Sequence, residues 1–228
     1  MNKNKVKISL ILNIIIVILT ILASIVMYSG FKFMGESEII LESTKLSMFR
    51  FFTVLSNIFM GIIALIFAIK ELNLLKGNIN DINLKYYILK LLSTTSVALT
   101  FFVVFTYLGP IARGGILSLL KNSNLFFHLI IPLLSIINFI FFEKNNKIKF
   151  KYTFLGVIPT FLYEIYYLLN ILFHMENGKV SPIYDWYYFV QNGVWIAIVV
   201  SLLMLVITYI ICLLLYLFNK KKNTNNIN

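Results

Sequence analysis

The chain has 228 residues, of which 60% are hydrophobic and 13% are charged, and its formal net charge is +11. A water-soluble domain of this size has too little interior for so much apolar surface, and soluble domains carry about 25% charged residues. The composition therefore excludes an ordinary soluble domain. The single cysteine, Cys212, excludes a disulfide framework and a cysteine–histidine metal site within one chain.

Apolar runs of about 20 residues can each cross a hydrocarbon layer roughly 30 Å thick. In chain order, such runs cover residues 6–30, 48–69, 86–108, 124–142, 152–174 and 192–218. They leave no soluble domain between them. The sequence therefore predicts an all-α fold in which residues 1–228 form one transmembrane domain, an integral bundle of six helices in the cell (inner or plasma) membrane.

The distribution of basic residues predicts the orientation of this bundle. Thirteen lysines lie on the side of the chain ends, in the tails and in the second and fourth loops, against six basic residues on the other side. The positive-inside rule then places the N and C termini in the cytoplasm. Lys90 lies inside the third span near its cytoplasmic end, and we expect it to snorkel to the surface. The charge favours membrane lipids rather than nucleic acid as partners.

Two outer loops carry amphipathic or aromatic patterns. Residues 31–47 could lie along the outer head groups as an interfacial segment. Residues 184–188 form a dense aromatic cluster ahead of the sixth span, and a belt at the membrane–water interface is the simpler interpretation.

Polar residues within spans are costly in lipid, so they are the natural candidates for function. Thr53 and His128 each follow a Phe-Phe pair near the outer end of a descending span. At a rise of about 1.5 Å per residue, they lie roughly 6–8 Å below the outer surface, as do Tyr167 and Asn170 of the ascending fifth span at roughly 6–11 Å. The sequence thus predicts a polar pocket between spans two, four and five.

The chemistry that such a pocket permits is acyl transfer. A threonine hydroxyl is a poor nucleophile unless a base such as a neutral histidine takes its proton. The base needs an orienting partner, and a developing oxyanion needs hydrogen-bond donors. Orienting candidates are Asn170, Tyr167 and Glu164, and donor candidates are Arg50, Ser56 and Asn57. This chemistry requires no metal and no cofactor.

Each of these residues also has a purely structural interpretation. A transmembrane threonine commonly bonds the carbonyl four residues earlier, and a histidine can hold helices together. Arg50 could be an interfacial anchor, and Glu164 could be interhelical glue or mark an ion path. The alternative function is therefore non-enzymatic: a small transporter, a channel or a lipid-sensing membrane protein.

Three segments resemble a known family. They are Phe51-Phe52-Thr53-Val54-Leu55-Ser56-Asn57, His128-Leu129-Ile130-Ile131-Pro132, and Tyr184-Asp185-Trp186-Tyr187-Tyr188-Phe189 with Gly193. Together they are similar to the androgen-induced-gene family of membrane proteins and its bacterial relatives. The characterised animal members are threonine hydrolases that cleave fatty acid esters of hydroxy fatty acids. The resemblance implies that Thr53 is the nucleophile, that His128 is the essential histidine, and that the substrate is a lipid ester.

Overall fold

The computed structural model describes residues 3–35, 44–143, 147–190 and 193–224. Within them, six helices are long and apolar enough to cross a membrane, which confirms the predicted all-α six-helix bundle. The helices are α1 (Lys3–Ser29), α2 (Phe52–Leu75), α3 (Leu84–Ile111), α4 (Ser123–Phe142), α5 (Phe150–Phe173) and α6 (Val194–Lys220). Six crossings bring both chain ends to one side, which we call the terminal face; the other side is the opposite face. The cytoplasmic location of the terminal face remains the prediction of the positive-inside rule.

Helix α3 forms the centre of the bundle. Every residue from 91 to 100 is buried, whereas α1, α5 and α6 leave most of their apolar side chains exposed, as expected of surfaces that meet lipid. The buried stretch is rich in small hydroxyl residues, which allow close helix approach. Four of these hydroxyls are satisfied within the helix, as when Thr95 Oγ1 donates to the Leu91 carbonyl at 2.8 Å, whereas Thr94 Oγ1 has no partner among the described residues.

Helix α2 differs from its predicted limits of 48–69. Residues Lys45–Arg50 form a separate 3₁₀ helix, and Phe51 is extended, so α2 begins at Phe52. Its far end continues beyond Ile69 to Leu75 because Glu71 is buried against other polar groups rather than exposed in a loop. As a consequence, Arg50 precedes the helix, and Thr53 lies in its first turn.

Helix α4 contains two π-helical segments, Phe126–Ile130 and Asn138–Phe142, on either side of the α-helical segment Ile131–Ile137. Such segments are rare and occur often at functional sites, because widening the turn re-aims side chains and releases backbone groups. The first of them carries His128. The second leads directly into Glu143.

The loops on the opposite face differ in how far the structure describes them. Most of the predicted interfacial segment, residues 36–43, lies outside the described residues. After α5, a short hairpin pairs Met175 with Val180 and leads into the loop of residues 181–190. The prediction that its aromatic residues form an interfacial belt does not hold for Trp186, whereas Tyr188 is 38% exposed. Trp186 is only 2% exposed and Asp185 is fully buried, because the loop folds back onto the bundle.

Candidate functional site

A cavity of about 300 Å³ opens among the helix ends near the opposite face. Its wall comes from the end of α1, the start of α2, the end of α3, the start of α4 and the loop of residues 181–190. Thr53 and His128 both line it, together with Val26, Met27, Gly30, Phe31, Lys32, Thr44, Phe51, Val54, Leu108, Ile111, Ala112, Leu119, Lys121, Asn122, Ser123, Asn124 and Tyr187. The two residues singled out from the sequence thus face one largely apolar chamber.

Thr53 differs from most threonines of the bundle in how its hydroxyl is placed. Thr20, Thr95 and Thr208 each donate to the carbonyl four residues earlier in their own helix, at 2.7–2.8 Å. Among the described residues, no such bond is formed by Thr53. The reason is local: α2 begins at Phe52, so the residue four positions before Thr53 lies outside the helix. The half-buried hydroxyl is therefore not committed to its own backbone.

His128 is held in a defined tautomer. Its Nδ1 lies 2.9 Å from the carbonyl oxygen of Leu119, which follows the short helix Gly115–Ser118. A carbonyl can only accept, so Nδ1 carries the proton and Nε2 of the neutral ring keeps a lone pair. The orienting partner is therefore the Leu119 carbonyl and not Asn170, Tyr167 or Glu164. The imidazole is 8% exposed, through the cavity that it lines.

Asn57 connects the backbones of the two candidate residues. Its side-chain amide donates to the carbonyl of Thr53 at 2.7 Å and to the carbonyl of Phe127 at 3.1 Å. Phe127 belongs to the π-helical segment and directly precedes His128. A single buried amide thus fixes the start of α2 against the start of α4. It acts on the backbone and not as the oxyanion donor that the sequence analysis predicted.

The six residues predicted to form the substrate pocket do not line this cavity. Ser56 Oγ contacts the Thr53 carbonyl at 3.1 Å and Thr100 Oγ1 at 3.2 Å. Glu164 is half-buried on α5. The other residues hold the loop: Arg50 Nη1 donates to the Ile183 carbonyl at 3.2 Å, Asn170 donates to the Tyr184 carbonyl at 2.7 Å, and Tyr167 donates to Asp185.

The predicted pocket residues do not line the cavity for a geometric reason. Helix α5 contributes no residue to the cavity, and the polar face of α5 binds the loop of residues 181–190 instead. Asp185 accepts from the backbone N–H groups of Phe189 and Val190 at 3.0 and 3.1 Å, in addition to the Tyr167 hydroxyl. These bonds close the loop on itself and attach it to α5. The predicted pocket of spans two, four and five is therefore a pocket of α1–α4 covered by this loop.

Tyr187 is the loop residue that reaches the cavity. Its hydroxyl accepts from the backbone N–H of Phe52, at 3.2 Å, in the first turn of α2. Burial raises the pKa of the Tyr187 phenol, so this hydroxyl stays neutral at physiological pH. Tyr187 thus satisfies one of the helix-terminal amides beside Thr53. In the sequence, its only signal is membership of the aromatic cluster.

Asn122 shapes the cavity wall from the loop before α4. Its backbone has φ of +54°, a conformation that is rare for residues other than glycine. The side chain compensates by accepting from the Met34 N–H at 2.8 Å and donating to the Gly35 carbonyl at 2.9 Å. Asn122 therefore ties the loop after α1 to the loop before α4. No pattern in the sequence indicates this role of Asn122.

A second polar cluster lies on the terminal-face side of the bundle, in the interior. Lys90 on α3 forms a salt bridge with Glu143 at 3.0 Å and donates to Asn13 Oδ1 at 2.5 Å. Asn13 in turn donates to Glu71 Oε2 at 3.0 Å. Lys90 is fully buried, so the prediction that it snorkels to the surface is wrong. Its partners come from helices far apart in sequence, and no local pattern identifies them.

The part of the chain that the structure describes contains no group of three His, Cys, Asp or Glu side chains that could hold a metal ion. Among the residues that line the cavity, Thr53 offers a hydroxyl and His128 an imidazole. Searches of the chain against protein-family models, curated proteins and solved structures found no match.

Proposed function

We propose that this protein is a membrane-embedded hydrolase, or acyl transferase, that acts on a lipid acyl ester. The observation that carries the proposal is that Thr53 and His128, from different helices, line one cavity of about 300 Å³. Predominantly apolar walls suit an acyl chain, and the position near the opposite face gives access to both lipid and water. The resemblance of the segments around Thr53 and His128 to threonine hydrolases points to the same chemistry.

Each residue has a definite role in the proposed reaction. His128 Nε2 takes the proton of Thr53 Oγ1 as that oxygen attacks the ester carbonyl carbon. The resulting tetrahedral intermediate collapses when the ester C–O bond breaks, and the protonated ring gives its proton to the leaving alkoxide. Water, activated by the same ring, then releases the acid from acyl-Thr53. The backbone N–H of Thr53 is the candidate oxyanion donor, because the N–H groups of Phe52, Val54 and Leu55 in the same turn already have acceptors.

No hydrogen bond joins the Thr53 hydroxyl to His128 among the described contacts. A nucleophile and its base commonly lie farther apart before substrate binds and approach only in the reactive complex. The cavity provides the space for that movement, since both side chains border it. The Leu119 carbonyl keeps the ring in the tautomer that the reaction needs.

The test is covalent labelling of the purified protein by a fluorophosphonate probe, with the modified residue located by mass spectrometry. We expect the probe on Thr53 in the wild-type protein and in Thr53→Ser, and its loss in Thr53→Ala and His128→Ala. Thr106→Ala is the matched control, because Thr106 is an exposed threonine that bonds its own helix at the Phe102 carbonyl. Equal labelling of all these variants would place the non-enzymatic alternatives ahead.

A further inference from the structure

The second polar cluster, which we call the Lys90 network, joins side chains of five transmembrane helices. From Glu71 on α2 it passes to Asn13 on α1, to Lys90 on α3 and to Glu143 at the end of α4. Asn138 donates to Glu143 Oε1 at 3.1 Å, and Asn219 on α6 donates to the Glu143 carbonyl at 3.2 Å. The members are thus Asn13, Glu71, Lys90, Asn138, Glu143 and Asn219. This network does not share a residue with the Thr53 cavity.

The charges of the network do not balance. Counted over the described residues, it holds two carboxyl groups and one ammonium group, and all three side chains are at most 4% exposed. With both carboxylates ionised, the cluster carries one net negative charge inside the bundle, where an uncompensated charge is very costly. The polar partners on α1 and α6, Asn13 and Asn219, are neutral amides. The cluster therefore requires one more positive charge to be neutral.

Two buried atoms of the network lack a hydrogen-bond partner among the described residues. They are Glu143 Oε2 and Asn138 Oδ1, which belong to two side chains already joined through Glu143 Oε1. Both atoms are acceptors, so what is missing is a donor or a cation rather than another oxygen. The charge imbalance and these unpartnered acceptors are separate observations, and both indicate a positively charged ligand.

We propose that the Lys90 network is a proton-binding site in which Glu71 and Glu143 share one exchangeable proton. A proton fits better than a metal cation, because Lys90 Nζ lies 3.0 Å from Glu143 and would repel a metal ion there. A metal ion also needs several oxygen ligands, whereas a proton needs a single one. Within the described part of the chain, Tyr87 is a further titratable group beside the network, a buried residue of α3 that interacts electrostatically with both glutamates. The Asp81–Lys147 pair lies at the surface on the same side.

The sharing of one proton makes a specific prediction about single and double variants. Removing either carboxyl leaves one carboxylate against Lys90, so neither single variant needs the proton. Infrared spectroscopy of the reconstituted protein at neutral pH measures this, through the carbonyl band of protonated carboxylic acids and its shift in D₂O. We expect Glu71→Gln and Glu143→Gln each to lose one protonated carboxyl. The double variant Glu71→Gln/Glu143→Gln should also lose only one protonated carboxyl, and Lys90→Gln should gain one protonated carboxyl.

All these variants also carry Glu164→Gln, and the protein with this substitution alone is their parent. Glu164 is a half-buried carboxyl on α5 outside the network, and its removal leaves the infrared band to the network carboxyls. A titration of this parent does not depend on whether the network variants fold. It should lose one protonated carboxyl as the pH rises and should be insensitive to Na⁺ at fixed pH. Loss of two carboxyls in the double variant, loss of none in either single variant, or displacement of the band by Na⁺ would each overturn the proposal.

Discussion

The side-chain amide of Asn57 on α2 donates to the carbonyl of Phe127 on α4 at 3.1 Å. This bond falls within the π-helical segment that carries His128, where the altered turn makes a carbonyl available to an outside donor. The same amide also donates to the Thr53 carbonyl at 2.7 Å. The relative position of Thr53 and His128 therefore depends on one side chain that does not itself face the cavity.

Replacing Asn57 by alanine should impair both stability and labelling. The Phe127 carbonyl would lose its side-chain donor in the interior, which costs about 1–3 kcal/mol for an unsatisfied group, whereas the Thr53 carbonyl still accepts from Ser56 Oγ. We expect a lower apparent unfolding midpoint in detergent and weak fluorophosphonate labelling, although Thr53 and His128 are intact. Asn73→Ala is the control, since Asn73 donates to the Ile69 carbonyl of the same helix near the terminal face. Full labelling of Asn57→Ala would mean that Asn57 does not position the site.

The sequence identifies some residues of this site and not others. Polarity in a costly environment identifies Thr53 and His128, and helix rise places them at similar depth, so the sequence indicates that both lie near one cavity. The Leu119 carbonyl could not be predicted, because backbone groups have no sequence signature. The role of Asn57 was equally hidden, since it depends on a π-helical turn in α4. Tyr167 and Asn170 were placed on the right face of α5, but nothing local indicated that this face binds a loop.

Detaching the loop of residues 181–190 should open the cavity at Tyr187. Tyr167→Phe removes the hydroxyl that donates to the buried carboxylate of Asp185. Tryptophan fluorescence reports the result if Trp195, which is 80% exposed, is first replaced by phenylalanine, leaving Trp186 at 2% exposure as the only fluorophore of its kind. We expect the Trp186 emission to shift to longer wavelength as the loop becomes hydrated.

The neighbouring tyrosine provides the matched control for this experiment. Tyr166 is 45% exposed on α5, and Tyr166→Phe keeps the ring that lies 6.2 Å from that of Trp186, so it should leave the emission of Trp186 unchanged. Hydrogen exchange should show the same contrast, with faster exchange at the amides of Phe189 and Val190 in Tyr167→Phe only. Identical spectra and exchange rates for the two variants would show that the Tyr167–Asp185 bond does not hold the loop.

The Lys90 network shows a different limit of sequence reasoning. A lysine near the end of an apolar run ordinarily reaches the surface, which is why snorkelling was expected. Lys90 instead points inward because Glu143, Asn13 and Glu71 converge on it from three other helices. Which face of α3 meets which neighbour is decided by the packing of the whole bundle. The pattern of a single sequence indicates which face of a helix is polar, but it does not indicate which neighbouring helix that face contacts.

Removing Lys90 should destabilise the protein far more than removing a surface lysine that is also paired with one carboxylate. Lys90→Met breaks a fully buried salt bridge and leaves Glu143 without its cation, which typically costs about 3–5 kcal/mol. Lys147→Met removes the partner of Asp81, and those side chains are 41% and 53% exposed, so about 1 kcal/mol or less is expected. Unfolding midpoints of the two purified variants at neutral pH provide the comparison. Similar losses in both would contradict the assignment of Lys90 to a buried ion pair.

Helices α5 and α6 approach each other closely at Gly156, and this contact supports a prediction about packing. A Cβ atom added to Gly156 would lie 2.3 Å from Cys212 Sγ and 2.6 Å from Cys212 Cβ, so Gly156→Ala must push the helices apart. Overpacking of this kind costs about 1–3 kcal/mol. The thiol of Cys212 is fully buried, and it should be unreactive to a maleimide in the wild-type protein. Separation of α5 from α6 should make it reactive in Gly156→Ala.

Cys212→Gly removes both atoms that the new methyl group would meet. Combining it with Gly156→Ala should therefore restore most of the unfolding midpoint that Gly156→Ala loses, because the methyl group then occupies the space of the deleted side chain. The comparison is a double-mutant cycle, in which the coupling between the two positions is read directly from four midpoints. Additive losses in the double variant, with Cys212 of Gly156→Ala still unreactive, would mean that α5 and α6 accommodate the methyl group without separating.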